Sequence, residues 1–146
     1  IQSIRHITGI LLGSQDIFHG TLLENITMGN NNISMQQITK LAAIAGLQDF
    51  VESCKQGYDT LLQPVGNKLS NNVRKNILLI RALLGEQRLL LLEHPFDHLE
   101  QPFKNNIIQY IIENKTATVL IDSQDEELNI FCDKVLMLNK SGEMVN

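Results

Sequence analysis

Two neighbouring stretches of the chain decide its fold. Leu69–Leu84 reads L-S-N-N-V-R-K-N-I-L-L-I-R-A-L-L, and Leu89–Pro95 reads L-L-L-L-E-H-P. The first stretch predicts a long helix that Ser70 caps and Gly85 ends, because Ser favours helix N-caps and Gly favours C-terminal stops. Leu89–Leu92 is short and uniformly apolar, which is typical of a parallel strand covered on both faces. A helix followed by a buried strand that ends in a carboxylate predicts an α/β core.

The downstream part of the chain continues this alternation of helix and strand. We predict, in order, a helix over Pro102–Ile112, a second buried strand over Thr118–Asp122, a short helix over Glu126–Phe131, and strands over Lys134–Leu138 and Glu143–Val145. Helices that alternate with apolar strands are the pattern of an α/β fold with a parallel sheet.

In the part of the chain before Tyr58, the sequence pattern predicts one strand and then only helices. The strand covers Ile7–Leu12, and the helical region extends from Thr21 to about Tyr58. Two capping boxes mark helix starts: Thr21 with Glu24, and Ser34 with Gln37. A hairpin is predicted near Gly66. The economical architecture is an α/β core with an inserted α-helical subdomain.

Composition limits the classes of function. The chain has 146 residues, 43% of them hydrophobic and 19% charged, with a net charge of −4. This is the composition of one globular domain, and the scattered charges argue against a nucleic-acid partner. No apolar run reaches the roughly 18 residues of a membrane span. Cys54 and Cys132 lack metal-site spacing and are predicted to be free thiols.

Several short motifs occur in an order that resembles a known family. Phe18–Ile26 reads F-H-G-T-L-L-E-N-I, Gly57–Thr60 reads G-Y-D-T, Gly66–Ser70 leads into the long helix, and Arg81–Leu84 reads R-A-L-L. In order and spacing they resemble the ATP-binding cassettes of ABC exporters, especially those that export bacteriocins, toxins and peptides. The resemblance extends from about Ile7 to Val145.

The resemblance implies a P-loop NTPase-like parallel-sheet core, incomplete at the N-terminus, with the α-helical subdomain inserted. Residues 1–146 would form a partial cassette: 1–20 the core strand and Q-loop region, 21–68 the helical subdomain, and 69–146 the signature helix, the Walker B strand and the C-terminal core. The chain contains no G-x-x-x-x-G-K-[ST] loop, so we expect the Walker A motif upstream of Ile1.

The family resemblance also implies a function and partners. A cassette of this type binds ATP with Mg²⁺ in the full-length protein and couples its binding and hydrolysis to export. Its partners would be the transmembrane domain of an exporter and a second nucleotide-binding domain, identical or different. It would lie on the cytoplasmic side of a bacterial inner membrane. A peptide, bacteriocin or toxin cargo is implied, but its identity is not encoded in this region.

Three positions near the start of the long helix correspond to the signature motif L-S-G-G-Q. Ser70 retains the serine, whereas Asn71 and Asn72 occupy the two glycine positions. A helix N-terminus presents backbone N–H groups to phosphate, and in the family glycines let that backbone approach closely. The asparagines add side chains there. The alternative interpretation is that Ser70, Asn71 and Asn72 form only a helix cap.

The remaining site residues also depart from the family pattern. Gln15 would be the Q-loop glutamine that senses phosphate and Mg²⁺, although it lies two residues closer to Phe18 than usual. At the other positions we predict Glu93 as the Walker B carboxylate and Mg²⁺ ligand, His94 in place of the catalytic glutamate, Glu100 in place of the D-loop aspartate, and Gln124 in place of the switch histidine. An imidazole can accept a proton near neutral pH, but it carries no negative charge. We therefore predict impaired hydrolysis.

Two alternatives remain. His94–His98 reads H-P-F-D-H and resembles the H-x-x-[ED]-H motif of zinc hydrolases, which must lie within a helix. Pro95 and the preceding strand argue against that placement. The second alternative is a non-catalytic cassette that acts as a docking or dimerisation scaffold.

Overall fold

The computed structural model describes residues 7–63, 69–114 and 116–145. Along the chain the elements are β1 (Thr8–Leu11), β2 (Gly20–Thr21), α1 (Leu22–Thr27), α2 (Met35–Ile44), α3 (Gln48–Ser53), a 3₁₀ turn (Gly57–Asp59), β3 (Leu61–Leu62), α4 (Asn71–Leu83), β4 (Leu89–Glu93), α5 (Phe103–Asn114), β5 (Thr118–Asp122), a 3₁₀ helix (Glu126–Phe131), β6 (Met137–Leu138) and β7 (Met144–Val145).

The central sheet has three parallel strands in the order β1-β4-β5. Thr8 pairs with Leu89, and Leu89 pairs with Thr118, so the three strands run in register. The pairing ends with Glu93 opposite Asp122, which brings two carboxylates to the carboxyl edge of the sheet. The prediction of an α/β fold with a parallel core is confirmed, and the arrangement is consistent with a P-loop NTPase-like core.

Helix α4 is the centre of the core. The Ser70 hydroxyl accepts a hydrogen bond from the Val73 amide at 3.2 Å, which caps the helix as predicted. Its apolar side packs tightly; four fully buried residues are Ile77, Leu79, Ile80 and Leu83. A Cβ at Gly9 would lie 2.0 Å from the Ala82 carbonyl oxygen, so only glycine lets β1 approach α4 this closely.

The helical region forms as its capping boxes predict. Both reciprocal capping boxes are present, Thr21 with Glu24 and Ser34 with Gln37. A two-residue antiparallel ribbon pairs Gly20 with Leu62 and closes the region at its base. The hairpin predicted near Gly66 lies outside the described residues.

The sheet differs from the sequence prediction in its burial. Leu90 and Leu92 are buried on one face of β4, but Leu89 and Leu91 on the other face are only half-buried. No residue of β5 is buried, and Leu120 is 57% exposed. The predictions of a second buried strand and of two covered faces are therefore wrong. Uniform apolarity indicates that a strand can be covered, but only the neighbouring elements decide whether it is.

The segment after β5 buries few of its side chains. The short helix predicted after β5 is a 3₁₀ helix over Glu126–Phe131. The two predicted terminal strands form a small antiparallel hairpin, β6 with β7, in which Met137, Leu138 and Met144 are exposed. Among the described residues, no helix combines the length and the apolar character that crossing a membrane would require.

Candidate functional site

A cleft of about 460 Å³ lies at the carboxyl edge of the sheet, between the loop after β1, the first turns of α4 and the end of β4. Carboxyl ends of parallel strands are where α/β proteins bind ligands. Four of the predicted site residues line this cleft: Gln15, Asn71, Glu93 and His94. The fold therefore brings together positions that lie up to 79 residues apart in the sequence, from Gln15 to His94.

Backbone amides near the end of β1 donate hydrogen bonds to the side chains of both predicted metal ligands, Glu93 and Gln15. Glu93 Oε2 accepts a hydrogen bond from the Gly13 amide at 2.6 Å. Gln15 Oε1 accepts one from the Leu12 amide at 3.0 Å. Oxygen ligands suit Mg²⁺, and Glu93 fits such a role because its second carboxylate oxygen makes no hydrogen bond with the described residues. In this conformation the Gln15 oxygen is engaged and would have to leave Leu12 to reach a metal.

His94 follows β4 in an unusual backbone conformation, with φ of +45°. Its amide donates a hydrogen bond to the Asp122 carbonyl at 2.8 Å, which holds it at the end of β5. Its ring lies between two carboxylates: Nδ1 is 3.3 Å from Asp97 Oδ2, and Nε2 is 3.8 Å from Asp122 Oδ2. The position that resembles the catalytic glutamate therefore holds an imidazole within a group of carboxylates.

The signature-like end of α4 is largely engaged within its own helix. The Ser70 hydroxyl accepts from Val73, and Asn71 Oδ1 accepts from Arg74 Nη2 at 3.1 Å. Asn72 is exposed. Val73, the fifth residue of the segment aligned with L-S-G-G-Q, packs against the core. These contacts fit the helix-cap interpretation and leave Asn71 at the wall of the cleft.

Four predicted site residues do not line the cleft. Glu100 is exposed in the loop before α5, and Gln124 is exposed after β5. Neither lines the cleft, and neither do Ser70 and Asn72. The structure thus gathers half of the eight predicted site residues and leaves the other half on open surface.

His98 has a structural role that the sequence does not reveal. Its Nε2 lies 2.7 Å from Oδ1 of the buried Asn76, which ties the loop after β4 to α4. Burial lowers the pKa of His98 to about 4, helped by the charge of Lys75 and opposed by Asp97. The ring is therefore neutral at physiological pH and donates Nε2–H to Asn76.

The zinc alternative is wrong. His94–His98 forms turns rather than a helix, and His98 is bound to Asn76. Among residues 7–63, 69–114 and 116–145, no group of three or more His, Cys, Asp and Glu side chains is placed to hold a metal. Cys54 and Cys132 are free, as predicted.

Sequence reasoning missed the polar contacts behind the cleft. Asn25 is fully buried, and Arg81 donates hydrogen bonds to its carbonyl and to its side chain. A signal was present: Leu22, Asn25 and Ile26 follow the spacing of a buried helical stripe, and a polar residue in such a stripe needs partners. The partners themselves could not be read from the sequence.

Comparison with known proteins finds relatives by sequence and by fold. No family model matches the chain. It is 28% identical over 120 residues to the alpha-hemolysin translocation ATP-binding protein HlyB of Escherichia coli O157:H7. This alignment covers 80% of this chain and 17% of that protein. It is 29% identical over 148 residues to the uncharacterized ABC transporter ATP-binding protein YfiC of Bacillus subtilis, covering 98% of this chain and 24% of that protein.

The solved structures agree on the fold. A bacterial Atm1-family ABC exporter with ATP bound matches with a TM-score of 0.72 at 24% sequence identity, over 87% of this chain and 23% of that one. The chain thus spans about a fifth of the length of these proteins. Together the sequence relatives and the matching fold support a fragment of the ABC transporter nucleotide-binding-domain type.

Proposed function

We propose that this chain is part of the nucleotide-binding domain of an ABC-type exporter, with ATP hydrolysis slowed or abolished. In the full-length protein it would bind ATP and Mg²⁺ together with a P-loop segment that this chain does not contain. One observation carries the proposal of slow hydrolysis. The position after Glu93 is an imidazole placed between Asp97 and Asp122, not a carboxylate facing an attacking water.

We propose a role for each of the predicted site residues. Glu93 would hold Mg²⁺ through the carboxylate oxygen that does not bind Gly13. Bound Mg²⁺ would supply charge neutralisation at the phosphates. Gln15 would sense the phosphate from the loop after β1. Gln124 would replace the switch histidine, and Glu100 the D-loop aspartate, if the closed dimer brings these exposed side chains to the nucleotide.

The signature-like end supports weakened phosphate contact. A helix N-terminus can bind an anion through backbone N–H groups, but Asn71 and Asn72 place side chains where small residues would let a phosphate approach. In a dimer each nucleotide would contact the signature of one subunit and the carboxylates of the other. Both surfaces are altered in this chain, so a homodimer would contain two weakened sites.

The domain division and the partners belong to the same proposal. Residues 1–20 would form the core strand and Q-loop region, 21–68 the helical subdomain, and 69–146 the signature helix and C-terminal core. The partners would be a transmembrane domain and a second nucleotide-binding domain. The cassette itself would lie on the cytoplasmic side of the membrane. The relatives include HlyB, named for alpha-hemolysin translocation, and LtxB, named for leukotoxin export, which supports a peptide or toxin as the cargo.

The test is calorimetric titration with MgATP, followed by a phosphate-release assay, on a polypeptide that joins this chain to an upstream P-loop segment. We expect binding with slow turnover. His94→Glu places a carboxylate at the position of the catalytic glutamate. In a second variant, Gln124→His places a histidine at the position of the switch histidine. Because a correctly placed general base contributes about 10²- to 10⁴-fold to a rate, His94→Glu should raise turnover by at least about 10-fold. Brisk turnover with His94 unchanged would contradict the proposal.

One observation favours a second function, that of a non-catalytic scaffold. The Ser70 and Asn71 side chains are engaged within α4, as in an ordinary helix cap. A scaffold would need the packed core but no nucleotide. The same titration separates the two functions: absence of MgATP binding in the longer polypeptide would favour the scaffold.

A further inference from the structure

Asp16, in the loop that carries Gln15, lies between two arginines of α4. Arg74 and Arg81 are seven residues apart and therefore lie on the same face of the helix. Arg74 Nη1 is 3.5 Å from the Asp16 carboxylate, in a pair whose side chains are 43% and 47% exposed. Arg81 Nη1 donates to the Asp16 carbonyl at 3.3 Å. Exposed ion pairs contribute little to stability, so the contact with Arg81 is the one to examine.

Asn25 holds the end of the same loop. Its side chain is fully buried, and it bonds to both sides of the Phe18 backbone. Asn25 Oδ1 accepts from the Phe18 amide at 2.9 Å, and Asn25 Nδ2 donates to the Phe18 carbonyl at 2.9 Å. The second Nδ2 proton goes to the Thr21 carbonyl at 3.0 Å. A buried amide with every donor used is held in one orientation, and it fixes Phe18 in turn.

Arg81 joins Asn25 and Asp16 to α4. Its Nε donates to the Asn25 carbonyl at 2.8 Å, and Nη2 donates to Asn25 Oδ1 at 3.3 Å. The Phe18 ring lies 5.8 Å from Arg81 Cζ and covers the guanidinium. Burial lowers the pKa of Arg81, and Asp16 opposes that effect, but a guanidinium remains charged near neutral pH. One planar fork thus binds three acceptors, which the single ammonium group of a lysine does not reproduce.

We propose that Arg81 is a positioning residue for Gln15. With Asn25 it fixes the loop of residues 13–18 on α4, so that Gln15 and the Asn71 end of that helix move as one body. The inference rests on the proposed function, in which both ends meet nucleotide phosphates. A shift of Gln15 would then be transmitted to Asn71, which couples the chain's own nucleotide to the one that its dimer partner binds.

The test compares Arg81→Ala and Arg81→Lys with Arg74→Ala, a matched control on the same helix with the same loop partner. The readout is hydrogen exchange at two amides of the chain: Leu12, which reports the Gln15 side-chain bond, and Phe18, which reports Asn25. The Leu41 amide in α2 serves as the reference. Exchange rates measure local opening free energies, so loss of a charged hydrogen-bond network should be visible there.

We expect Arg81→Ala to speed exchange at Leu12 and Phe18 about 10-fold relative to Leu41, and Arg74→Ala to change it less than about 2-fold. Arg81→Lys should resemble Arg81→Ala, because charge without the fork does not hold the loop. The nitrogen and proton shifts of the Gln15 side-chain amide should move in both Arg81 variants and stay unchanged in Arg74→Ala.

Three results would overturn the proposal: equal acceleration at all three amides, equal effects of the two alanine variants, or unchanged exchange in Arg81→Lys. If Arg81→Ala does not fold, the lysine variant decides the matter by the same amides. None of these readouts needs a nucleotide. A failure to bind ATP would therefore remove the proposed function and leave this result standing.

Discussion

Two regions of this molecule share an apolar composition but differ in packing. Around α4 the sequence I-L-L-I-R-A-L is almost completely buried, and Ile77, Leu79, Ile80 and Leu83 have no exposed surface. From β5 onward most of the aliphatic residues are exposed, Leu120 to 57% and Leu138 to 64%, although Leu128 is buried. Apolar side chains become a core only when other elements surround them, and α4 is surrounded by β1, α1, α2 and the loop after β1.

The comparison predicts very different costs for the same substitution in the two regions. Leu79→Ala should lower the free energy of unfolding by about 3–5 kcal/mol, because it opens a cavity in a fully packed site. Leu138→Ala, a matched change on the exposed hairpin, should cost less than about 0.5 kcal/mol. Urea unfolding followed by circular dichroism measures both values. Equal costs would mean that the C-terminal hairpin is packed in solution.

A buried polar contact on the same helix should give a smaller effect. Asn76→Ala removes the acceptor of His98 Nε2–H and leaves a partly buried donor without a partner. Such an orphaned group costs about 1–3 kcal/mol. Asn72→Ala, an exposed change four residues earlier, should lie within about 0.5 kcal/mol of the unchanged chain. Should Asn76→Ala prove as harmless as Asn72→Ala, the contact to His98 would not hold the loop.

Solution pH should reveal the same contact. The pKa of His98 is lowered to about 4 in the folded chain, whereas an unfolded histidine titrates near 6.5. Between these values only the unfolded state binds the extra proton, so stability should fall as the pH decreases from about 6.5 to about 4. Below about pH 4, His98 should cause no further loss of stability. Denaturation midpoints at several pH values measure the slope, and His98→Gln should reduce it.

The exposed apolar side chains of β5 and its unpaired edge should promote self-association. Among residues 7–63, 69–114 and 116–145 no strand pairs with the outer edge of β5, and unpaired edges with exposed apolar side chains promote association between chains. We expect the 146-residue chain either to associate with itself or to be marginally stable. Sedimentation at rising concentration, with Leu120→Lys as the variant that blocks the edge, tests this expectation. A monomer with a high melting temperature would contradict it.

An ion-pair group with partly exposed carboxylates should have the smallest effect. Lys104 at the start of α5 bonds to Asp125 and, at 3.0 Å, to Glu127. The Lys104 bond lowers the pKa of Asp125, and the two carboxylates raise the pKa of Lys104. The Asp125 contribution is present above its ordinary pKa and is lost as pH falls through the lowered one. The Lys104 contribution is present below its ordinary pKa and is lost as pH rises through the raised one.

Lys104→Met should therefore lower the thermal unfolding midpoint slightly near pH 7, where both contributions are present, and change it least at the acidic and alkaline extremes, where the ion pair is already lost. The measurement is thermal unfolding at acidic, neutral and alkaline pH. Arg88→Met, a change of a cation elsewhere on the chain, serves as the control. A large loss of stability at pH 7 would show that the group around Lys104 is more than a solvated ion pair.

The sequence by itself determined the local structure of this protein. Capping residues such as Ser34 and Ser70 placed helix starts, and the run Leu89–Leu92 placed the central strand, because these signals act over a few residues of chain. Motif order also indicated the family type, which the relatives and the fold bear out. The site roles of Gln15, Glu93 and His94 stay predictions.

Only the tertiary structure decided which residues meet. Arg81 bonds to residues 56 and 65 positions away, and His98 bonds to one 22 positions away. Such contacts depend on how β1, β4 and α4 pack, and no local pattern encodes their geometry. The exposure of β5 has the same origin: its sequence fits a buried strand, but burial depends on whether a neighbour covers it.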